Sequence, residues 1–348
     1  MNPWRIAETP EEAGLSSRAL LDYLDALEAS GMEQHSVMVI KNGMLAAGMH
    51  FAPHTEKTPH ICYSISKPFT SAAAGFAVAE GLLDWDDRVL DVLADKAPTH
   101  PDAWLSSVTL HHLLSMSSGL VQKSDNLEHI FHPEQNNGED WAEAALSWGC
   151  DAAPGTVFRY NSHGSYLISC MVQKVTGMNI RDYLIPRLFE PLGIAAPHWD
   201  MSPQGICCGG WGLYLPVEDM AKFGVCLLQN GCWNGKQVLP AQWLEKATQV
   251  HIATNSVPRQ PEWALGYGYH FWRCTNDRFR GDGSNGQFII VAPRQKMVVA
   301  ATADLEDLSG EIEMFNEYIF NEDRQKPASE ADQRSYLERV KNLSVRKR

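Results

Sequence analysis

No stretch of the 348-residue chain offers the roughly 18 consecutive apolar residues of a membrane helix. The opening MNPWRIAETPEEAGLSS lacks a basic start followed by an apolar run, so no signal peptide is expected and the cytoplasm is the expected location. Positive charge is also short: 29 Lys and Arg stand against 42 Asp and Glu, a formal charge of −13. That balance argues against a nucleic-acid binder, which needs a basic face. The eight cysteines form no C-x-x-C, so free thiols are expected rather than a disulfide framework. Neither the adjacent Cys207-Cys208 nor His111-His112 comes with a closed set of ligands. No metal and no cofactor is therefore expected. The G-x-S-x-G elbow of α/β-hydrolases is missing, and no internal repeat is present.

What is present suits a globular enzyme of about two domains. Apolar residues make up 44% of the chain, and 11 Trp and 12 Phe can fill a sizeable core. Leu15, Leu20, Leu21, Leu24 and Leu27 form one helical stripe, with Ser16 or Ser17 as cap and Gly31 as stop. Asn42-Gly43 between apolar runs predicts a hairpin. A helix is expected to open near Ser64 and stop at Gly81. From about 95 to 245 helical periodicity dominates, in TLHHLLSM, WAEAALSW, SYLISCMVQKVTG, VEDMAKFGVCLLQNG and PAQWLEKATQ. The stretch 119–139 has little period and reads as a functional loop. After 265, YGYHFWRC, QFIIVAP and KMVVAATAD read as strands, then 309–321 as helix. The charged residues from 322 onward predict a poorly packed tail with partial helix. The pattern implies an α/β (α+β) domain built from both chain ends, 1–95 and 246–325. An all-helical insertion, 96–245, and a tail, 326–348, complete it.

The chemistry concentrates at Ser64-Ile65-Ser66-Lys67, an S-x-x-K at the opening of a helix. Residues three apart share a helix face, so hydroxyl and amine can be neighbours. Serine becomes a competent nucleophile only when a base takes its proton, and the helix N-terminus favours the resulting negative charge. A tetrapeptide is weak evidence by itself: Ser344-Val345-Arg346-Lys347 matches too, in the charged tail. The bland alternative for Ser64 is a helix cap.

The run YSISKPFTSAAAGFAVAEGLLDWDDRVLDVL resembles the active-site helix of the serine β-lactamase and penicillin-binding protein superfamily, nearest its class C-like branch of esterases and amide hydrolases. VTLHHLLSMSSGL, PGTVFRYNSHGSYLIS, GGWGLYLPVEDMAKFG and GDGSNGQFIIVAPRQKMVV follow in family order, across about residues 10 to 320. The resemblance implies an antiparallel sheet flanked by helices, Ser64 as nucleophile and Lys67 as its base. Tyr160 matches the tyrosine of the family's Y-x-N motif, while Ser162 replaces its asparagine. In place of the K-T-G strand stands Gly281-Asp282-Gly283-Ser284, without the lysine that holds a substrate carboxylate. Asp282 would repel such a carboxylate if it faced the site. G-x-x-G-Q-F resembles the 6-aminohexanoate-dimer hydrolase and esterase relatives. By that likeness the N–H groups of Ser64 and Ser284 form an oxyanion hole, and Gly283 lies beside the substrate. Trp211 is a candidate for the acyl pocket, with a core tryptophan as the alternative. His163 is a candidate surface residue near Tyr160. Ser124-Asp125-Asn126 spells S-D-N but falls in a loop, where Asp125, Glu128 and His132 could belong to a lid.

The expected function is a serine hydrolase acting on a small ester, amide or short peptide through an acyl-enzyme. No nucleic-acid or membrane partner is expected, and the oligomeric state stays open. The alternatives are a β-lactamase or D,D-peptidase, and an inactive binding or regulatory homologue.

Overall fold

A computed structural model describes residues 4–121, 139–255 and 261–344. It divides into two compact units. The first comprises Met1–Cys62, Tyr214–Gln229 and Asn276–Arg348; the second comprises Tyr63–Leu213 and Asn230–Thr275.

In the first unit, strands Gln34–Lys41 and Met44–His50 pair antiparallel around the expected turn. Asn42 and Gly43 both have positive φ, 50° and 76°, the conformation that a two-residue hairpin matched to strand twist requires. Six strands lie side by side in the order Arg5–Ile6, Met44–His50, Gln34–Lys41, Met297–Ala303, Gln287–Ala292, Phe279–Gly283. Arg5–Ile6 pairs parallel and the remaining pairs are antiparallel. Every residue of Gln287–Ala292 and Met297–Ala303 is buried. Helices on both faces explain those continuous apolar runs. The helix Val217–Leu228 lies against one face, where a Cβ on Gly224 would meet Val298 and Ile289. On the opposite face, the Phe288 ring meets Phe315 edge-on at 6.3 Å.

The helix Ser17–Ser30 starts at Ser16, whose side chain accepts from the Ala19 N–H, and ends at Gly31 in the left-handed conformation, as expected. The charged tail departs from expectation. Its helix Glu330–Leu343 packs against Ser17–Ser30 and buries Tyr336. Arg339 pairs with Asp25 and, at 3.0 Å, with Glu28. A polar helix thus docks through one aromatic anchor and complementary charges.

The second unit is mainly helical. Its helices include Ser66–Ala79, Leu110–Leu114, Trp141–Ser147, Ser162–Thr176 and Ala241–Ala247. All residues from Ser66 to Ala77 are buried, so their helix is surrounded, with Ser162–Thr176 and Ala241–Ala247 among its neighbours. This packing places residues 63–95 with the helical part, and Val217–Leu228 with the sheet. The boundaries expected at 95/96 and 245/246 therefore do not coincide with the unit boundaries. The run YGYHFWRC is also not the expected strand: only Trp272–Arg273 is assigned as one, because His270 takes a φ of 65°. Among the described residues, no helix is long and apolar enough to cross a membrane.

Candidate active site

The chain reaches Ser64 through Tyr63, a non-glycine residue with φ 44°. Such a conformation costs on the order of 1–3 kcal/mol and persists where surrounding structure enforces it. Tyr63–Ile65 form one 3-10 turn that feeds directly into the helix Ser66–Ala79. Ser64 is half-buried, whereas Lys67, one turn on, is 1% exposed. Lys67 Nζ lies 2.8 Å from Ser64 Oγ and donates at 2.8 Å to the Gly210 carbonyl. The carbonyl orients the amine, and the amine meets the hydroxyl at the separation required of a nucleophile and its base.

Three consecutive ties hold that carbonyl in place. Thr70 Oγ1 donates to the Gly209 carbonyl at 2.7 Å, Lys67 to Gly210, and the Leu213 N–H to Ser66 Oγ at 3.1 Å. Close approach of the strap to the helix Ser162–Thr176 requires glycine. A Cβ on Gly210 would lie 3.0 Å from Ser162 Cβ, and one on Gly209 would lie 2.6 Å from the Ser165 carbonyl. Ser162 therefore abuts the segment that orients Lys67.

Tyr160 is set between two anchored neighbours. The Arg159 N–H donates to the Met116 carbonyl at 2.8 Å, and its guanidinium donates to the Leu120 carbonyl at 3.0 Å. Asn161 caps the following helix by accepting from the N–H groups of His163 and Gly164. Between them, the Tyr160 ring stacks on Trp272 at 5.8 Å. Lys67 Nζ lies 4.6 Å from the centre of that ring. Ser64, Lys67, Tyr160 and Ser162 are thus all positioned within the second unit.

Trp211 is 6% exposed and stacks on Trp141 at 6.2 Å, while its carbonyl accepts from Trp199 Nε1. His163 is buried, not a surface residue: it is 3% exposed, edge-on to Trp148 at 5.0 Å. Burial lowers its pKa to about 4. His112 Nδ1 accepts from the Thr109 N–H in a capping box, and His111 Nδ1 lies 2.7 Å from the Tyr269 hydroxyl. Both have structural partners. The S-D-N match with the lid candidates Asp125, Glu128 and His132 lies outside the described residues, as does part of the second S-x-x-K.

The glycine-rich stretch belongs to the first unit. Gly281, Asp282 and Gly283 end the strand Phe279–Gly283, with Gly281 opposite Ile289, and exposed Ser284 enters the turn. The Asp282 carboxylate accepts from buried Arg280 at 3.3 Å, so a fixed cation balances its charge.

Sequence reasoning missed His270. Its Nδ1 is 3.0 Å from the Lys67 carbonyl and Nε2 is 3.3 Å from Ser165 Oγ. It ties the start of the Ser66–Ala79 helix to Ser162–Thr176. Burial above all, with adjacent Lys67, lowers its pKa to about 3, so the ring is neutral. No local pattern signals this role, because all of its partners are distant in sequence.

The beta-lactamase family model matches residues 24–313. The chain belongs to the beta-lactamase family. Its members include serine hydrolases, and the fold agrees with solved relatives. A putative 6-aminohexanoate-dimer hydrolase from Bacillus anthracis superimposes with a TM-score of 0.67 at 19% identity, over 91% of this chain and 79% of that one. A penicillin-binding protein homologue from Pyrococcus abyssi gives 0.68 at 22% identity, over 86% and 76%. In sequence, penicillin-binding protein 4 of Amycolatopsis lactamdurans is 28% identical over 212 residues, 51% of this chain and 53% of that protein. An uncharacterized protein of Alkalihalophilus pseudofirmus is 22% identical over 62% of this chain and 64% of its own length. The chain thus spans little more than half to just under two thirds of these two sequence relatives.

Proposed function

We propose that this beta-lactamase-family protein hydrolyses a small ester or amide through an acyl-enzyme on Ser64. The 2.8 Å contact between Lys67 Nζ and Ser64 Oγ carries the reading. Lys67, acting as the base, takes the hydroxyl proton as Oγ attacks the carbonyl carbon. Tyr160, with Lys67 against its ring, relays that proton to the leaving alcohol or amine. Water then attacks the acyl-Ser64 carbonyl, loses a proton to the same pair, and releases the acid and free Ser64. The Ser64 N–H is a proposed donor to the oxyanion, and such a donor is generally worth several kcal/mol. The proposed acyl pocket includes Ser162 and Trp211. Gly281 supplies no cation for a substrate carboxylate, and the Asp282 charge is already engaged by Arg280. Neutral esters and amides therefore fit this chemistry better than penicillins or peptidoglycan stems.

The test is acyl-enzyme mass spectrometry with short-chain p-nitrophenyl esters, oligoamides and nitrocefin, beside labelling by a fluorophosphonate. Wild-type protein should gain one acyl or phosphonyl group on Ser64, and Ser64→Ala none. Turnover retained by Ser64→Ala would overturn the assignment. A nitrocefin burst without ester turnover would instead favour a β-lactamase or D,D-peptidase.

A further inference from the structure

Three histidines of the first unit converge where the proposed hydrolysis makes no use of them. His35 is on the strand Gln34–Lys41, His54 in the loop after the strand Met44–His50, and His60 on the strand Pro59–Ile61. The rings of His35 and His54 stack at 3.9 Å, and His60 lies 5.0 and 5.1 Å from them. One nitrogen from each falls within 4.8 Å of the others. His35 Nδ1, His54 Nδ1 and His60 Nε2 are all buried without a hydrogen-bond partner among the described residues. Buried polar atoms are ordinarily satisfied, so three neighbouring exceptions call for a missing partner.

The outer contacts show which nitrogens carry lone pairs. His60 Nδ1 is 2.9 Å from the Thr58 carbonyl, which can only accept. Its proton is therefore on Nδ1, and Nε2 is free to bind. His35 Nε2 faces the Glu33 carboxylate at 3.5 Å, an arrangement that leaves Nδ1 as the donor atom. A carbonyl or carboxylate behind a ligating imidazole is the usual way to fix its tautomer.

We infer that His35, His54 and His60 form a binding site for a divalent transition-metal ion, with zinc as the reference occupant. Imidazole nitrogens suit zinc, copper and nickel, and three of them leave a coordination position for water. Metal–nitrogen bonds of about 2.0–2.1 Å require the rings to close inward from the present separations. Such an ion would cross-link a sheet strand, the turn after its hairpin and the short strand preceding the nucleophile segment. This proposal stands apart from the acyl-enzyme reading.

The full chain, stripped with a chelator, is titrated with zinc chloride by calorimetry, and bound zinc is counted after gel filtration. One zinc per chain is expected. His54→Ala and His60→Ala should each weaken binding by at least the roughly 10–100-fold that follows loss of an outer-sphere partner. Glu33→Gln should weaken it about 10-fold. His198→Ala, at an exposed histidine paired with Asp200, should leave it unchanged. If an alanine variant fails to fold in chelator, peptide mapping of diethyl pyrocarbonate modification in wild-type protein decides. Zinc should then protect His35, His54 and His60 and not His198. Absence of stoichiometric binding, binding indifferent to both alanine variants, or no selective protection would overturn the site.

Discussion

Gly75→Ala tests how tightly the helix carrying Lys67 is held. In a free helix the change should help, since alanine exceeds glycine by roughly 1 kcal/mol. Here a Cβ on Gly75 would lie 2.3 Å from Trp243 Cγ and 2.5 Å from Cδ1. Both distances are far inside van der Waals contact. Trp243 is fully buried, and its Nε1 donates to Ser71 Oγ at 3.0 Å, one turn before Gly75 on the same helix face. The indole can retreat only by giving up that bond, worth about 1 kcal/mol, or by pushing the helix. Overpacking of this kind costs about 1–3 kcal/mol. The clash should therefore cancel or outweigh the propensity gain, leaving a net loss of up to about 2 kcal/mol. Gly164→Ala is the control, because its Cβ would meet Leu113 Cδ2 at an ordinary 3.5 Å. That variant should match wild type or gain up to about 1 kcal/mol. Urea denaturation measures both, and fluorophosphonate labelling rate reports whether Lys67 has shifted in Gly75→Ala. A Gly75→Ala protein as stable as Gly164→Ala would refute the close-packing argument.

Two pH effects follow from buried titratable groups. Burial lowers the His163 pKa to about 4, so the folded ring stays neutral while the unfolded one protonates below about 6.5. Its stabilisation is present above 6.5 and is lost as pH falls, by roughly 3 kcal/mol near pH 4. His163→Phe should flatten this acid limb in urea titrations at pH 7 and pH 4.5; an unchanged slope would count against it. Glu311 shows the opposite sign. Full burial raises its carboxyl pKa well above 4.5, so the folded state keeps a proton that the unfolded chain releases. Its stabilisation is full below 4.5 and declines with rising pH, at up to about 1.4 kcal/mol per unit while the folded carboxyl remains protonated. Glu311→Gln should therefore exceed wild type in stability at pH 8, with the gap closing below pH 4.5. Parallel stability curves for the two proteins would refute a buried neutral carboxyl.

What was legible in the sequence was local. The Asn42-Gly43 turn, the Ser16 cap and the S-x-x-K spacing each depend on a few adjacent residues, and each is present in the structure. Tyr160 needed more: its approach to Lys67 was expected only because ordered blocks resembled a known family. The miss at YGYHFWRC has a physical cause. Alternating aromatic residues satisfy a strand pattern, yet those rings pack in a cluster of Phe158, Tyr160, Tyr267 and Trp272. A backbone reversal at His270 follows, which no side-chain period encodes. The helix Val217–Leu228 was found by its period, but period cannot say which unit it covers. That assignment rests on Gly224 fitting over Val298 and Ile289.

Two kinds of substitution meet at the candidate site. Gly281 removes a charged group, and its consequence for substrate carboxylates can be argued from residue type alone. Ser162 is different. It abuts Gly210, whose carbonyl accepts from Lys67, and a Cβ on that glycine would come within 3.0 Å of the serine. A bulkier side chain at 162 would bear on the placement of the base as well as on the pocket. Loss of activity on enlarging Ser162 would thus not by itself identify a substrate contact. A fall in acylation rate for every ester tested would point to displacement of Lys67, whereas a change in preference between acyl groups would point to the pocket.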